Sequence, residues 1–241
     1  MLKTLLAVLF VALFLILSLP VQGVLWLLQK NHRPATDRIS LRIVQWAFRV
    51  VIKITGIHPK IEGLENIPTD RAVLFIGNHR SFFDVIITYS LMPNLTGYIS
   101  KKEHRKIPLL HIWMGRLYCL FLDRDHPREG LKTILQAIDY VKHGVSIFIF
   151  PEGSRSRDKQ LHDFHAGSFK IATKSGCPII PVAITGTDDV MEDALPALKK
   201  APVYITFGEP IELSSLSEED RKHISDYTHR IIAEMLEKQK G

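Results

Sequence analysis

The chain has 241 residues and a net charge of +6 at neutral pH, with an isoelectric point of about 9.3. This length fits one α/β domain with an appendage, and the basic balance favours an anionic membrane surface or an anionic substrate. We expect no nucleic-acid partner. The two cysteines, Cys119 and Cys177, stand in unrelated contexts, which excludes a disulfide framework and a cysteine-based zinc site.

The first part of the chain is strongly apolar. Residues 5–28 match the roughly 20 residues that cross a bilayer as a helix. Three interpretations compete: a cleaved signal peptide, a single membrane span, and an interfacial anchor bent near Pro20. Apolar residues resume at 24–28, where a mature chain should turn polar. We therefore expect a retained anchor, and the pattern leaves the span and the bent anchor open.

Residues 29–55 are basic and contain a single acidic residue. Their cationic side chains include a stripe within roughly 60° of a helical wheel, formed by Arg38, Arg42, Arg49 and Lys53. A basic stripe beside an apolar face is typical of a helix that lies among lipid headgroups. A domain helix with a solvated basic face is the alternative. If the anchor spans, the positive-inside rule places this side in the cytoplasm.

Turn-forming residues then mark a boundary. Gly56 and Pro59 follow the basic segment and interrupt its helical pattern. We expect residues 1–55 to form a hydrophobic anchor with a basic amphipathic interfacial helix. Residues 56–241 should form a separate folded domain.

Residues 78–84 lie between a predicted buried strand at 72–77 and a predicted helix. Ser81 is a good N-cap and Asp84 follows three residues later, as in a capping box with Asp replacing Glu. With His79 on the incoming loop, its imidazole can reach Asp84. A carboxylate on one ring nitrogen leaves the other nitrogen available as a base. This would be two thirds of a catalytic triad without a protein nucleophile, and a capped helix with a solvated histidine is the alternative.

Two later predicted strands also end in loops that carry arginine. The strand predicted at 116–122 leads to Arg124, and the strand predicted at 146–150 leads to a loop with Gly153 and Arg155. Glycine permits close backbone approach, and guanidinium groups match phosphate geometry. The second loop is neither a P-loop nor a nucleophile elbow, because the patterns that define them are missing.

Three charged clusters have less specific patterns. Residues 101–106 follow a predicted strand at 96–100 and are either an anion site or a solvated face. Residues 123–126 and 162–165 combine histidine with acids. We expect no metal at either, because Arg124 lies inside the first and no third ligand follows the second.

Strands and helices alternate through the rest of the chain. The further predicted helices are 108–114, 129–141, 166–175 and 218–238, and the further predicted strands are 178–184 and 203–207. Such alternation predicts an α/β fold with a mixed, largely parallel sheet flanked by helices. The membrane-anchoring helical segment would precede it.

Four blocks, in this order, resemble the glycerolipid acyltransferases, most closely the bacterial-type 1-acyl-sn-glycerol-3-phosphate acyltransferases. The blocks are Asn78-His79-x-Ser81-x-x-Asp84, Phe121-Leu122-Asp123-Arg124, Phe150-Pro151-Glu152-Gly153-Ser154-Arg155-Ser156 and Ile180-Pro181-Val182-Ala183-Ile184. The resemblance covers roughly residues 56–210. Ser154 stands where many relatives have threonine. The first block differs from the Gly-His-Arg-Ser of glycerol-3-phosphate acyltransferases, which disfavours that activity.

The resemblance implies a reaction. An acyl chain would pass from acyl-CoA or acyl-carrier protein to the sn-2 hydroxyl of lysophosphatidic acid, giving phosphatidic acid in phospholipid biosynthesis. His79 would be the general base, Asp84 would orient it, and the substrate hydroxyl would be the nucleophile. The enzyme would work at the cytoplasmic face of the cell membrane. The resemblance implies no metal and no cofactor beyond the acyl donor.

The resemblance also implies which residues bind the acceptor. Arg155 would contact its phosphate with help from Arg124, and the predicted acceptor-binding residues are Arg124, Glu152, Gly153, Arg155 and Lys101. Backbone N–H groups near Ser81 are the expected oxyanion donors. Another lysolipid acceptor, such as a lyso-ornithine lipid or a lysophospholipid, is one alternative. A non-catalytic anionic-lipid-binding homologue is another, which the intact His–Asp pair disfavours. Acyl chain length, donor type and oligomeric state remain open.

Overall fold

A seven-stranded sheet forms the centre of the computed structural model, which describes residues 1–239. The strands are β1 (Lys60–Glu62), β2 (Leu74–Gly77), β3 (Thr96–Lys101), β4 (Leu120–Leu122), β5 (Ser146–Ile149), β6 (Ile179–Thr185) and β7 (Tyr204–Phe207). Their spatial order is β1-β7-β6-β2-β5-β3-β4. Every neighbouring pair is parallel except β6 and β7, which are antiparallel. The predicted mixed, largely parallel sheet is confirmed.

Helices cover both faces of this sheet. They are α1 (Leu2–Leu17), α2 (Leu19–Thr55), α3 (Phe82–Leu91), α4 (Leu110–Arg116), α5 (Pro127–Lys142), α6 (Lys170–Ser175), α7 (Thr187–Val190), α8 (Glu218–Lys222) and α9 (Ile224–Lys238). Short 3-10 turns lie at Leu64–Asn66, Lys102–Lys106, Ala166–Phe169 and Leu213–Ser215.

The central strands are buried on both faces, which explains why they read as continuous apolar runs. Along β2, Phe75 points into one apolar cluster with Phe148, and their rings stack at 5.5 Å between centroids. Leu74 and Ile76 point into the opposite cluster. Helices α2 and α3 contribute to the first cluster, and α5, α6 and α9 contribute to the second.

The two N-terminal helices pack against the rest of the protein. The Leu198 amide donates to Thr4 Oγ1 in α1 at 2.9 Å, and Trp113 Nε1 in α4 donates to Ser18 Oγ, between the two helices, at 3.0 Å. The side chain of Gln45 in α2 donates to the carbonyl of Met92, just after α3, at 2.8 Å. The basic side chains predicted to form a stripe on α2 are exposed. The division of the chain at residue 55 stays a prediction, and its last two positions, 240 and 241, lie outside the described residues.

Helices α1 and α2 form a bent pair, with a 44° change of direction at Ser18, next to Pro20. Within residues 1–239, no single helix combines the length and the apolar character that a membrane span requires. The bent pair meets both criteria when its two helices are taken together. This geometry fits the bent-anchor interpretation of the apolar N-terminus. A second break in α2 occurs at His32, whose backbone angles are not helical.

Three predicted elements differ from the structure by more than a shift of their ends. The helix predicted at 166–175 is a 3-10 turn, Ala166–Phe169, followed by α6. The predicted strand at 116–122 is shortened to β4. Residues 116 and 117 belong instead to the end of α4, because Trp113 and Leu117 are buried at helical spacing. Tyr118 then turns the chain with φ of 60°. The predicted helix at 218–238 is interrupted at His223, where the backbone leaves helical values between α8 and α9.

Candidate active site

Parallel pairing brings three of the four sequence blocks to one edge of the sheet. Strands β2, β4 and β5 all end at this edge, and they lead directly into residues 78–84, residues 123–126 and residues 150–157. The carboxyl ends of parallel strands are where α/β proteins collect their functional groups. Strand β6 ends there too, and its following turn at Gly186 leads into α7.

The predicted contact between His79 and Asp84 is present. His79 Nδ1 lies 2.8 Å from Asp84 Oδ2. Because a carboxylate only accepts hydrogen bonds, this contact places the imidazole proton on Nδ1 and leaves Nε2 as the acceptor. The capping box of α3 is also confirmed, since Ser81 accepts from the backbone at the helix start and Asp84 accepts from the Ser81 amide. The cap and the His–Asp contact therefore share one carboxylate.

Asp84 is fully buried and is held by four donors. Its Oδ2 accepts from His79, from the Arg80 amide at 2.7 Å and from the Ser81 amide at 2.8 Å. Its Oδ1 accepts from the hydroxyl of Thr187 in α7, at 2.5 Å. Four donors to one buried carboxylate satisfy both of its oxygens and fix its direction. The carboxylate is therefore pre-oriented for the imidazole.

The backbone and ring of His79 are also fixed. Its amide donates to Glu152 Oε1 at 2.7 Å, and its carbonyl accepts from the Ser156 amide at 2.8 Å. The imidazole stacks on the ring of Phe150, with 4.1 Å between centroids and 15° between planes. The preceding Asn78 exchanges two 2.8 Å hydrogen bonds with the backbone of Ile184 in β6. The loop that carries the histidine is thus tied to both neighbouring strands.

Glu152 lies behind the histidine. Its Oε2 accepts from the His162 amide at 3.1 Å, so both carboxylate oxygens accept hydrogen bonds from backbone amides. Burial raises the pKa of Glu152, while the two amide donors act in the opposite direction. These contacts give Glu152 a positioning role for the loops at 79 and 162. Contact between Glu152 and an acceptor stays a prediction.

The two predicted phosphate-binding arginines line the same cavity as the histidine. Arg155 Nη1 donates to Glu192 Oε1 at 2.6 Å, and its guanidinium lies 4.2 Å from the ring centroid of Phe82. Arg124 lies next to Gly153, since a Cβ added there would come within 2.8 Å of Arg124 Nη1. Gly153 also has φ of +82°, a conformation that favours glycine. A side chain at position 153 would therefore displace the guanidinium of Arg124.

The side chains of the basic segment at 101–106 have different surroundings. Lys101 is exposed and lies at the cavity described below. Lys102 turns away and pairs with Asp123 at 2.9 Å and with Asp125 at 2.5 Å. Lys102 is the first cause of the low pKa of Asp123, which is about 2. His104 faces the site beside Ser100, and burial lowers the pKa of its imidazole.

A cavity of about 470 Å³ runs from this edge of the sheet toward the N-terminal helices. Its polar end is formed by side chains of the predicted site and contains His79, Lys101, Arg124, Gly153 and Arg155. Its apolar walls come from α1, α2, α3 and α4, with Phe14, Ala47 and Trp113 among them. Asp84 and Glu152 are outside the cavity wall and support it from behind. A larger groove of about 840 Å³ lies beside α9 and the strands β1 and β7, where β1 is the outermost strand on one side of the sheet.

The expected oxyanion donors near Ser81 are already engaged. The amide of Phe82 donates to Glu192 Oε1 at 3.1 Å, and the amide of Phe83 donates to Ser81 Oγ at 3.0 Å. The amides of residues 79–81 donate to Glu152 and Asp84, as described above. Each N–H group from residue 79 to residue 83 therefore has a protein acceptor in this arrangement, and the assignment of these groups to an oxyanion stays a prediction.

Sequence reasoning missed four residues of the site: Phe150 as a ring partner, Thr187, Glu192 and His104. Phe150 directly follows β5, and Thr187 comes two residues after the end of β6, so a survey of every strand end would have found them. Glu192 has no local signal, because its partners lie 37 and 110 residues away in the chain.

Carboxylates from three residues after β6 come close enough together to hold a cation: Asp188, Asp189 and Asp193. The ammonium of Lys159 lies among them, 2.8 Å from Asp189 and 3.0 Å from Asp193. The lysine therefore offsets part of the negative charge of this cluster and pairs with each of its carboxylates. The predicted clusters at 123–126 and 162–165 lie in loops or at a helix start.

A match to the family described as Acyltransferase covers residues 58–185, more than half of the chain. The chain belongs to the acyltransferase family. The match includes all four sequence blocks, and the predicted glycerolipid acyltransferase resemblance is confirmed at the level of the family. Within this acyltransferase, the match begins two residues after the C-terminal Gly56 cap of α2 and ends with β6.

Curated relatives include plant and bacterial proteins named 1-acyl-sn-glycerol-3-phosphate acyltransferase. The chloroplastic protein of Brassica napus is 37% identical over 132 residues, which are 54% of this chain and 38% of the relative. The protein of Cocos nucifera is 34% identical, covering 78% of this chain and 61% of the relative. The protein of Borreliella burgdorferi is 28% identical, covering 83% of this chain and 80% of the relative. The acyltransferase thus spans less than two thirds of these plant relatives.

A solved structure shares the whole fold. The crystal structure of the 1-acyl-sn-glycerophosphate (LPA) acyltransferase PlsC from Thermotoga maritima aligns with a TM-score of 0.82 and 24% identity. The alignment covers 100% of this chain and 97% of that one. The N-terminal helices of this acyltransferase therefore belong to the shared fold.

Proposed function

We propose that this protein transfers an acyl chain from a thioester donor to the sn-2 hydroxyl of 1-acyl-sn-glycerol-3-phosphate. The observation that carries the proposal is the cavity that joins the His79–Asp84 pair and two arginines to a long apolar interior. The names of the curated relatives support the acceptor. The product would be phosphatidic acid, an intermediate of phospholipid biosynthesis.

The proposed chemistry is one direct transfer. Nε2 of His79 takes the proton of the acceptor hydroxyl as its oxygen attacks the thioester carbonyl. The C–S bond breaks, and the leaving thiolate recovers the proton from the imidazolium. Asp84 holds Nδ1–H throughout and stabilises the transient positive charge. A general base contributes roughly 10² to 10⁴-fold, and positioning of the hydroxyl adds to this.

The acceptor phosphate would bind at the polar end of the cavity. Arg124 and Arg155 line the cavity together with His79, and Lys101 adds a third cation. Guanidinium groups offer several N–H donors in a geometry that suits phosphate. We assign the phosphate primarily to Arg155, and we assign Glu152 the task of holding the His79 amide. No metal or cofactor takes part in the proposed reaction.

The apolar end of the cavity would receive an acyl chain. Its walls are aliphatic and aromatic side chains from four helices. Burial of each methylene group contributes about 0.8 kcal/mol, so an interior of this kind can discriminate chain length. The bent α1–α2 pair would place the opening at the membrane surface, where a lysolipid acceptor resides. We propose that the protein acts at the cytoplasmic face of the cell membrane.

The test is an acylation assay with the full-length protein in detergent. Lysophosphatidate and acyl-CoA should give free CoA and phosphatidate, measured by a thiol reagent and by mass spectrometry. His79→Ala should lower kcat by about 10² to 10⁴-fold while the circular dichroism spectrum is unchanged. Absence of product from both acyl-CoA and acyl-carrier-protein donors would refute the proposal.

An acceptor panel separates the alternatives. Lysophosphatidate, a lysophospholipid with a headgroup and a lyso-ornithine lipid would each be tested with one donor. A higher kcat/KM for one of the latter two would move the assignment to that lysolipid. Binding of lysophosphatidate without turnover of any acceptor would favour the non-catalytic lipid-binding alternative.

A further inference from the structure

Glu192 joins two parts of the site that are distant in sequence. It follows α7, and its Oε1 accepts from Arg155 Nη1 at 2.6 Å and from the Phe82 amide at 3.1 Å. Phe82 is the first residue of α3. One carboxylate oxygen therefore connects the predicted phosphate-binding guanidinium to the start of the helix that carries Asp84.

The guanidinium of Arg155 is held from two sides. Besides its ion pair with Glu192, it lies over the ring of Phe82, with 4.2 Å between Cζ and the ring centroid. Within residues 1–239, Glu192 is the only side chain found to accept a hydrogen bond from Arg155. The ion pair uses Nη1, which leaves the donors on Nη2 and Nε for another acceptor. The side chain of Arg155 remains one-third exposed toward the cavity.

The other oxygen of Glu192 has an unfavourable environment. Oε2 is buried and has no hydrogen-bond partner among the described residues. Burial of a polar atom without a partner destabilises a fold. A carboxylate at this position is therefore poorly explained by packing alone, and its contact with Arg155 provides a reason for the charge.

We propose that Glu192 is a positioning residue that sets the guanidinium of Arg155 in the orientation that receives the acceptor phosphate. This inference rests on the proposed function, because it concerns the same phosphate. Arginine has a long side chain with many rotamers, and fixing it before the substrate arrives reduces the entropy lost on binding. Glu192 acts through Arg155 and does not touch the reacting atoms.

The main competing possibility is that Glu192 weakens, and does not strengthen, the binding of the acceptor phosphate by Arg155. Glu192 occupies one N–H of Arg155 and carries a negative charge, so it could compete with the phosphate. The two roles predict opposite changes in KM. Removal of a positioning residue raises KM for the phosphorylated acceptor, whereas removal of a competitor lowers it.

The experiment is a double-mutant cycle in the full-length protein, with Glu192→Ala, Arg155→Ala and the double variant. We expect Glu192→Ala to raise KM for lysophosphatidate about tenfold with kcat within about twofold. In the Arg155→Ala background, Glu192→Ala should have no further effect on KM, because the guanidinium that Glu192 positions is gone. Glu192→Gln should restore most of the affinity, since its amide oxygen can still accept from Phe82 and Arg155.

Two controls separate this role from a general loss of structure. Asp193→Ala lies on the same segment and should leave KM unchanged. With monoacylglycerol, which lacks the phosphate, Glu192→Ala and the parent protein should react alike. Additive losses in the double variant, or a lower KM in Glu192→Ala, would overturn the inference.

A binding measurement keeps the inference separate from the proposed reaction. Titration calorimetry of lysophosphatidate into each variant in detergent reports affinity without turnover. If the parent protein binds but does not transfer an acyl chain, the proposed function fails and the calorimetric cycle still tests Glu192. If the parent protein does not bind lysophosphatidate, both proposals fail.

Discussion

At the scale of single residues, the support of the His–Asp pair extends beyond the block that contains it. Thr187 donates to Asp84 Oδ1 from α7, more than 100 residues away. Phe150 covers one face of the imidazole, and Glu152 holds the amide of His79. The position of the His79 imidazole therefore depends on side chains that follow β5 and β6 as well as on its own loop.

Thr187 offers a direct test of this support. Thr187→Val keeps the shape of the side chain but removes the donor to Asp84 Oδ1. A hydrogen bond to a charged group contributes about 1.5 to 3 kcal/mol, so we expect kcat to fall about tenfold or more with little change in acceptor KM. Steady-state kinetics would measure both constants.

Thr187→Ser is the matched control, since it retains the hydroxyl and should keep nearly full activity. Equal kcat values for the valine variant and the parent protein would show that the Thr187 hydroxyl does not orient the pair.

At the scale of elements, the N-terminal helices form part of the site. Helices α1 and α2 contribute walls to the cavity, and α2 also packs against α3. Strand ends supply the polar groups, and helix faces supply the apolar interior. In the proposed function, this separation would let the chain hold a charged headgroup and an acyl chain at adjacent positions.

Ala47 tests the role of α2 in the cavity. It is buried and lines the apolar wall, so Ala47→Phe should shorten the space for an acyl chain. Each excluded methylene forfeits about 0.8 kcal/mol, and the loss of two should reduce kcat/KM for long donors about tenfold relative to short donors. Kinetics with acyl-CoA donors of increasing length would measure the shift.

Ala35→Phe is the control for that experiment, because Ala35 is exposed on the same helix. It should leave the length preference unchanged. An unchanged preference in Ala47→Phe would show that the acyl chain does not occupy this part of the cavity.

At the scale of the whole molecule, charge and apolar surface coincide on the N-terminal side. Many of the exposed large apolar side chains lie in α1 and the first half of α2, and the exposed basic residues of α2 continue from them. Each cationic side chain near an anionic membrane contributes about 1 kcal/mol to the free energy of membrane binding. This distribution supports an orientation in which the bent helix pair faces the lipid.

Charge reversal tests the orientation. Arg38→Glu combined with Arg42→Glu should weaken binding to vesicles that contain anionic lipids by about thirtyfold or more, because about 2 kcal/mol of attraction is lost. Sedimentation with the vesicles measures binding, and added salt should reduce the difference. Lys142→Glu combined with Lys174→Glu, on the opposite side of the sheet, is the matched control. Equal weakening by both pairs would contradict a specific orientation.

The sequence by itself determined the parts of this protein that depend on local spacing. The capping box placed Asp84 over the helix start and brought His79 within reach, because both residues lie in one turn of chain. Alternating apolar runs and helical periods predicted the parallel sheet, because buried strands and amphipathic helices have different periods. Local patterns also predicted that three of the blocks follow strands, and parallel pairing in the fold brings those loops to one sheet edge.

Only the tertiary structure decided the partners of those loops. Thr187 and Glu192 reach the site through the packing of α7 and the segment after it, and contacts across more than 100 residues leave no periodic trace in the sequence. The cavity likewise exists only between helices, so its walls could not be assigned from any one segment. Local chemistry follows from neighbouring residues, whereas enclosure and orientation require surfaces that meet only after folding.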